Sequence, residues 1–446
     1  MPEDLTVVIV DGGGRGHAIS EAWESHPEVK RIIVTPGNDG IAYNRQKEVV
    51  IDRRGNLKDA DSILEVARRH IGLRERHLVD VAQDDAIAAG TVNKLRAAGY
   101  NAFGPTAEQA WIESHKGHSR DFMERHGIPH PDYRIFDSED DAIAYVRRVY
   151  EKNPKKAMYV KASGLAQGKG ALMAESFDQA IGRIYAMKSF GASGHNFVIE
   201  DALFGGEFSA FALVNGQDYV LLGNAQDNKL SEDGDKGQQT GGMGGNSPAM
   251  VTMGIEDAVD RELFRKAIEG MWGEGYSYEG ILYVGGIRVG DDPWNIEYNA
   301  RWGDPEAQLV LPSLRNYPHM VLDSMNGKLK GAAVLKDGKA RVGVVGVSKG
   351  YPGDYSAVRG KEIYGIKEVA EMPNIRFYSA GISMHDGRFY ADGGRLFMVV
   401  GEGNNIPEAR DRAYDAMNYI SIEGGDLHYR RDMGRRDAER FLGILV

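Results

Sequence analysis

The chain has 446 residues, room for roughly three domains at about 150 residues each, and 54 Lys and Arg face 65 Asp and Glu for a net charge of −11. The two signs are interspersed, which disfavours an extended nucleic-acid or anionic-membrane surface. Cysteine is absent, so disulfides, thiol nucleophiles and Cys-bound metals drop out, and any metal must be held by oxygen or histidine.

Glycine is the compositional excess: 57 residues, nearly twice the usual share of about 7%, with no Gly-X-Y period. The opening Met1-Pro2-Glu3-Asp4 and its short apolar run lack the basic segment and long apolar core of a signal peptide. No stretch reaches the roughly 18 apolar residues of a membrane span. A cytoplasmic protein with neither membrane nor nucleic-acid partners is expected, as a monomer or homodimer.

In chain order, Leu5–Val10 reads as a buried strand ending in Asp11-Gly-Gly-Gly14, before a helix from about His17 to His26. A second strand, Arg31–Thr35, ends in Pro36-Gly37-Asn38. A helix near Asp59–Arg69, a third strand at His77–Val81 and a helix near Ala86–Ala98 lead to Asn101–Pro105. This alternation predicts a parallel α/β sheet covered on both faces, with ligands beyond the carboxyl ends of its strands. A second region has helical text at Glu113–His126, a strand at Ala157–Lys161 and the loop Gly164-Leu-Ala-Gln-Gly-Lys-Gly170. Strand-like segments follow at Phe197–Glu200, Phe208–Val214, Tyr219–Leu222, Ile281–Val289 and Trp294–Tyr298, around a glycine-dense loop at 233–245. The last part holds a hairpin at Met384–Tyr390 and a helix at Ile406–Ile420. The expected domains are 1–108, 109–196, 197–335 and 336–446.

The glycine loops fail the simple motifs. With Gly12 and Gly14 as the first two glycines of G-x-G-x-x-G, the third position is His17, and Thr35 stands where an acidic ribose ligand belongs. In the second loop Lys169 follows Gly168, but Gly170 replaces the Ser/Thr of a Walker A motif and Ser163 its leading glycine. Backbone approaching an anion and a flexible phosphate flap are the better accounts. The sharper constellation is Asn295–Gln308. Alternation along a strand puts Glu297, Asn299 and Arg301 on one face, where two oxygen ligands and a guanidinium can hold Mg²⁺ against phosphate.

These segments, with Phe103-Gly-Pro105, Lys116, Gln226-Asp227, Lys229, Asp233–Gly237, Thr240–Gly244, Gly350–Gly353, Gly393–Arg395 and His428–Asp432, resemble the ATP-grasp ligases. Within them the chain is similar to the phosphoribosylamine–glycine ligase family of purine biosynthesis, almost end to end. The resemblance implies an ATP-grasp fold preceded by a parallel α/β domain and followed by a small mixed domain. It implies that Lys116 and Lys161 clamp the ATP phosphates beneath a flap carrying Gly168 and Lys169. Glu200 and Leu203 would meet the adenine, Glu207 the ribose, and Glu297 and Asn299 a Mg²⁺ ion, with Mn²⁺ as the alternative. Arg301 would join both lysines in stabilising charge on the transferring phosphoryl group. Gly13, Gly14, Arg15, Asn38, Asp84, Asp227, Gly242 and Asp304 would face glycine and phosphoribosylamine. Arg395, Arg430 and Arg431 either meet a 5′-phosphate or pair with Asp392 and Asp432.

Several positions depart from the family pattern. Asp11 replaces a Gly and Gly16 a Glu in the first loop, Ala82-Gln83-Asp84 stands for Gly-Pro-Glu, and Ser163, Gln239, Asn246 and Ala307 replace Asp, Asn, Tyr and Thr. The expected activity is ATP-dependent joining of glycine to phosphoribosylamine through glycyl phosphate. The alternatives are a diverged ligase with another amine acceptor and a non-catalytic nucleotide-binding regulator.

Overall fold

The computed structural model describes residues 4–166 and 169–444. Met1-Pro2-Glu3 and Gly168 therefore lie outside the described residues.

The N-terminal sheet is parallel, in the order Glu48–Ile51, Val29–Pro36, Leu5–Asp11, His77–Val81, Ala102–Phe103. Glu48–Ile51 is an edge strand that the sequence reading missed. Its four residues are partly exposed, too short and too wet for a buried run to be visible. The strand order reverses between Leu5–Asp11 and His77–Val81, so the turns after these two strands flank one crevice, the place where such sheets bind ligands. The turns are Gly12–Gly14 and Ala82–Gln83. The first helix starts at Gly14, three residues before the expected start, inside the glycine run. Helix Ala60–His70 turns Ile63, Leu64, Val66 and Ala67 inward, and Asp59 caps it by accepting from the Asp61 amide. The expected helix at 86–98 is two, Asp84–Ala88 and Thr91–Ala97, because Gly90 between them has φ +75°, a left-handed value that interrupts a helix.

A small antiparallel sheet follows, Tyr133–Phe136, Phe197–Asp201, Met158–Ala162, Ala171–Ala174. Helices Glu139–Lys152 and Phe177–Ala186 cover it, burying Val146, Ile184, Val160 and Ile199 together. The expected helix at 113–126 divides into Trp111–Ser114 and Lys116–Arg125, which sets Lys116 at a helix start.

The central sheet runs Asp292–Asn299, Glu279–Val289, Gly206–Asn215, Asp218–Asp227, Gly244–Ser247, Ala340–Ser348, Arg395–Gly403, Ile375–Ser379, and Leu427–His428 adds to Ala340–Ser348. Gly244–Ser247 pairs with Asp218–Asp227 on one side and with Ala340–Ser348 on the other. Backbone pairing therefore continues across the expected boundary at residue 336. The glycine-dense 233–245 segment is not a plain loop. Leu230–Glu232 pairs with Lys236–Gln239, and Gly244 begins a sheet strand. Among the described residues no helix is long and apolar enough to cross a membrane.

Candidate active site

A cleft of about 800 Å³ is bounded by the Gly12–Arg15 turn, Gln83–Asp84, the small sheet and the central sheet. Lys116, Lys161, Glu297, Asn299 and Arg301 all line it. Strand Asp292–Asn299 delivers Glu297 and Asn299, which alternate onto one face, and Arg301 follows two residues beyond the strand.

On one side of the cleft Glu200 gathers two cations. Its buried carboxylate accepts from Arg120 Nε at 2.9 Å and Nη2 at 2.7 Å and pairs with Lys161 Nζ. Burial raises the carboxyl's pKa, but Arg120 and Lys161 outweigh it and hold the group below its ordinary value. Glu200, expected at the adenine edge, lines the cleft with its carboxylate oxygens engaged by these two cations. Leu203 and Glu207 also line the cleft. Lys116 donates to the Gly164 carbonyl at 3.2 Å, so it reaches the flap. Burial lowers its pKa, partly opposed by Glu297. Lys169 is exposed and does not line the cleft.

Glu297 stands among cations. Burial would raise its pKa, but Lys229, Lys116, Lys161 and Arg301 bring it down to about 2. Lys229 Nζ lies 3.8 Å from Glu297 Oε1. Burial works against the lysine's charge, and Glu297, Glu207 and Asp227 push its pKa up. No cluster of three or more His, Asp or Glu able to hold a metal occurs among the described residues. The donor set nevertheless suits a hard divalent cation. An ionised carboxylate, Glu297, and a buried amide, Asn299, are two oxygen ligands. Mg²⁺ ordinarily takes one or two carboxylates with water and substrate phosphates.

Arg301 is more constrained than its sequence role implied. Its Nη2 lies 2.8 Å from Glu113 Oε1 and 3.9 Å from Asp84 Oδ2, and Nη1 donates to the Trp302 carbonyl at 3.2 Å. Burial opposes its charge, and Glu113 with Asp84 drives its pKa upward.

The other half of the cleft is acidic. Asp227 Oδ1 is buried without a hydrogen-bond partner among the described residues. Burial and the neighbouring Glu306 carboxylate raise the Asp227 pKa well above the usual range. Glu306 accepts from Ser209 Oγ at 2.9 Å and Tyr283 OH at 2.7 Å. Asp304 accepts from Gln308 Nε2 at 2.7 Å and pairs with Arg395 Nη2 at 3.1 Å. Burial opposes its ionisation, and Arg395 and Arg15 outweigh it to lower the pKa. Arg395 also donates to the Gly241 and Asp304 carbonyls at 2.7 and 2.8 Å, so it lines the cleft with much of its fork already engaged.

Not every expected contact reaches the cleft. Gly13 and Arg15 line it. Gly14 instead backs onto Gln308, whose Nε2 would lie 2.5 Å from a Cβ there. Asn38 braces the first turn, its Nδ2 donating to Gly12 O at 3.2 Å and Ser379 O at 3.3 Å. Gly242, with φ +115°, lets the chain pass Pro305, whose Cδ would lie 2.4 Å from a Cβ. Arg430 does not face the cleft at all. It is 1% exposed, bonded to Asp432 at 2.7 and 2.8 Å and to Asp235 at 2.9 Å. The pairing with Asp432 therefore holds, and Arg430 ties the C-terminal segment to the 230–239 hairpin. Arg120, Glu113 and Glu306 escaped the sequence reading. Arg120 sits one helical turn after Lys116, a spacing that puts both on one face and was the available signal.

Comparison with known proteins agrees with this geometry. The phosphoribosylglycinamide synthetase N domain matches residues 5–113, its ATP-grasp (A) domain 114–307 and its C domain 341–436. The chain is 37% identical over 438 residues to the phosphoribosylamine–glycine ligase of Chlorobaculum tepidum, covering 97% of this chain and 100% of that one. It is 34% identical over 436 residues to the human trifunctional purine biosynthetic protein adenosine-3, covering 96% of this chain and 42% of that one. The crystal structure of phosphoribosylamine–glycine ligase from Thermotoga maritima superposes with a TM-score of 0.77 at 30% identity, covering 96% of this chain and 100% of that one. Campylobacter jejuni biotin carboxylase, with a TM-score of 0.69 at 14% identity over 96% of this chain and 94% of that one, shares the fold alone. A chain that matches all three domains in order and aligns over its full length with these ligases belongs to the phosphoribosylamine–glycine ligase family.

Proposed function

We propose that the protein joins glycine to the amine of 5-phosphoribosylamine, converting ATP to ADP and phosphate. The observation that carries this reading is an ionised Glu297 set among Lys116, Lys161 and Lys229 in one cleft, beside Asp227, whose buried Oδ1 has no hydrogen-bond partner among the described residues. The first group suits a metal nucleotide, the second an ammonium.

A carboxylate is a poor electrophile, so its oxygen first attacks the γ-phosphorus and ADP leaves, giving glycyl phosphate. The amine nitrogen then attacks the carbonyl carbon, phosphate departs, and the nitrogen loses a proton as the amide forms. Lys116 and Lys161 would grip the phosphates as point charges, with Lys161 shared between Glu200 and the nucleotide. Arg301, held by Glu113, would present a fixed positive field, so catalysis is positioning and electrostatics rather than side-chain nucleophilicity. When bound, Mg²⁺ or Mn²⁺ held by Glu297 and Asn299 would neutralise charge on the phosphoryl oxygens. Lys116 bonded to Gly164 couples the phosphates to the flap, whose closure would keep water from the acyl phosphate. Asp227 and Glu306 would hold the glycine ammonium, and the first turn with Asp84, Asp304, Arg15 and Arg395 the phosphoribosylamine. A nucleotide-binding regulator would have no use for Glu297 and its lysines together.

The test is phosphate release by the purified protein with ATP, glycine and freshly generated phosphoribosylamine. Turnover that requires both co-substrates supports the reading, and ATP hydrolysis indifferent to glycine contradicts it. A cytoplasmic monomer or homodimer without nucleic-acid partners completes the proposal; cell fractionation and sedimentation check it.

A further inference from the structure

The first turn of the cleft holds an acid that the mechanism does not use. Asp11 ends strand Leu5–Asp11 and is 1% exposed. Its Oδ1 accepts from the Gly13 amide at 2.6 Å and the Gly16 amide at 3.2 Å, and its Oδ2 from Arg15 Nε at 2.6 Å. Gly13 and Gly16 open the eleven-residue helix Gly14–Glu24, and free amides at such an end would ordinarily take up an anion from solution or substrate. Here the anion is the chain's own. Gly16 has no positive φ to require glycine. It requires space, because a Cβ there would lie 2.8 Å from Asp11 Cβ and 3.0 Å from Oδ1. Asp11 and Gly16 are thus one device: the carboxylate sits where a side chain at 16 would otherwise go.

The device acts on Arg15. Asp11 holds its Nε, and the Trp302 carbonyl accepts from Nη1 at 2.9 Å. Nη2 has no partner among the described residues, and Arg15 lines the cleft beside Asp304, whose ionisation it supports. We propose that Asp11 is a positioning residue for amine-substrate recognition: it fills the anion-binding turn and locks Arg15, so that the substrate's phosphate or hydroxyl oxygens meet the Arg15 guanidinium rather than the loop amides. This rests on the cleft being the phosphoribosylamine site.

Four variants test it: Asp11→Asn, Arg15→Lys, the pair of these, and the swap Asp11→Gly with Gly16→Glu, which returns a carboxylate from the other side. A charge-assisted bond fixes one edge of a guanidinium, so Asp11→Asn should raise the KM for phosphoribosylamine about tenfold or more. The KM for ATP and kcat should stay within about twofold of wild type. In the Arg15→Lys background Asp11→Asn should add nothing, since a residue acting through another is non-additive with it. The swap should recover most of the loss, whereas Gly16→Glu alone should be impaired by the clash with Asp11. The Arg15 Nε–H resonance of the ligand-free protein, protected from exchange in wild type, should lose its protection in Asp11→Asn. Additive effects, a parallel rise in both KM values, or an unchanged Nε–H signal would each overturn the proposal. If Asp11→Asn does not fold, the swap and Arg15→Lys decide it by the same KM ratio. Absence of glycine-dependent turnover in the wild type would instead overturn the assigned reaction and leave the Nε–H result standing on its own.

Discussion

Glu200 should separate stability from catalysis. It is 3% exposed, and its two cationic partners, Arg120 and Lys161, are each 4% exposed. Glu200→Gln leaves two buried positive charges facing each other without their shared anion. Breaking a buried ion pair by removing one partner costs about 3–5 kcal/mol, and both cations lose a partner at once. Lys161→Met is the contrasting change. Glu200 and Arg120 remain a neutral pair joined at 2.9 and 2.7 Å, so the stability cost should be that of one lost bond, about 1–2 kcal/mol. Turnover should nonetheless fall by about 10² or more, because a charge on the transferring phosphoryl group is lost. The double variant buries one unpaired cation instead of two and should be more stable than Glu200→Gln alone. Urea midpoints followed by tryptophan fluorescence, with phosphate release on the same samples, measure both quantities. Because Arg120 and Lys161 outweigh burial and depress the Glu200 pKa, the wild-type advantage is complete at neutral pH and narrows only as acid protonates the carboxylate. A Glu200→Gln midpoint equal to wild type would refute the reasoning, as would a Lys161→Met protein less stable than Glu200→Gln.

Three further outcomes follow from the site. Glu297→Gln should reduce turnover to below about 1% of wild type; with the Glu297 pKa lowered from 4.5 to about 2, its ionised form and the stability it contributes persist above 4.5 and fade only toward pH 2, so a pH–rate profile should show no step near 4.5 from this group. Asp227→Asn should raise the KM for glycine by about tenfold and also raise the urea midpoint of the ligand-free protein. The Asp227 pKa is raised by burial and Glu306, so its ionised form costs stability at neutral pH and the midpoint difference should shrink as pH falls. Arg430→Ala should cost about 1–3 kcal/mol of stability and leave the KM for phosphoribosylamine within about twofold, because Arg430 bonds Asp235 and Asp432 away from the cleft.

What the sequence determined by itself was local. Runs of β-branched residues placed the first strands of the N-terminal sheet and part of the central one, two-residue alternation put Glu297 and Asn299 on one face, and the order of motifs carried the family and its ATP chemistry. Errors at this level included a short half-wet edge strand at 48–51, two helices interrupted near Gly90 and His115, and elements not placed at all, among them the buried strands Ala340–Ser348 and Arg395–Gly403 and the helix Glu139–Lys152. The tertiary structure alone decided which charges meet. An arginine satisfies its fork equally well on a phosphate or a carboxylate, so sequence could not tell that Arg430 is consumed by an aspartate 195 positions earlier while Arg15 keeps one amino group for the cleft. Nor could it tell that Glu200 pairs with Arg120 across 80 positions. Those choices are made when strands distant in the chain become neighbours and buried charges must find partners or go unpaid. The Asp11–Gly16 pair lies between the two cases: both residues stand five positions apart in plain view, but only the folded turn reveals that one occupies the space a side chain at the other would need.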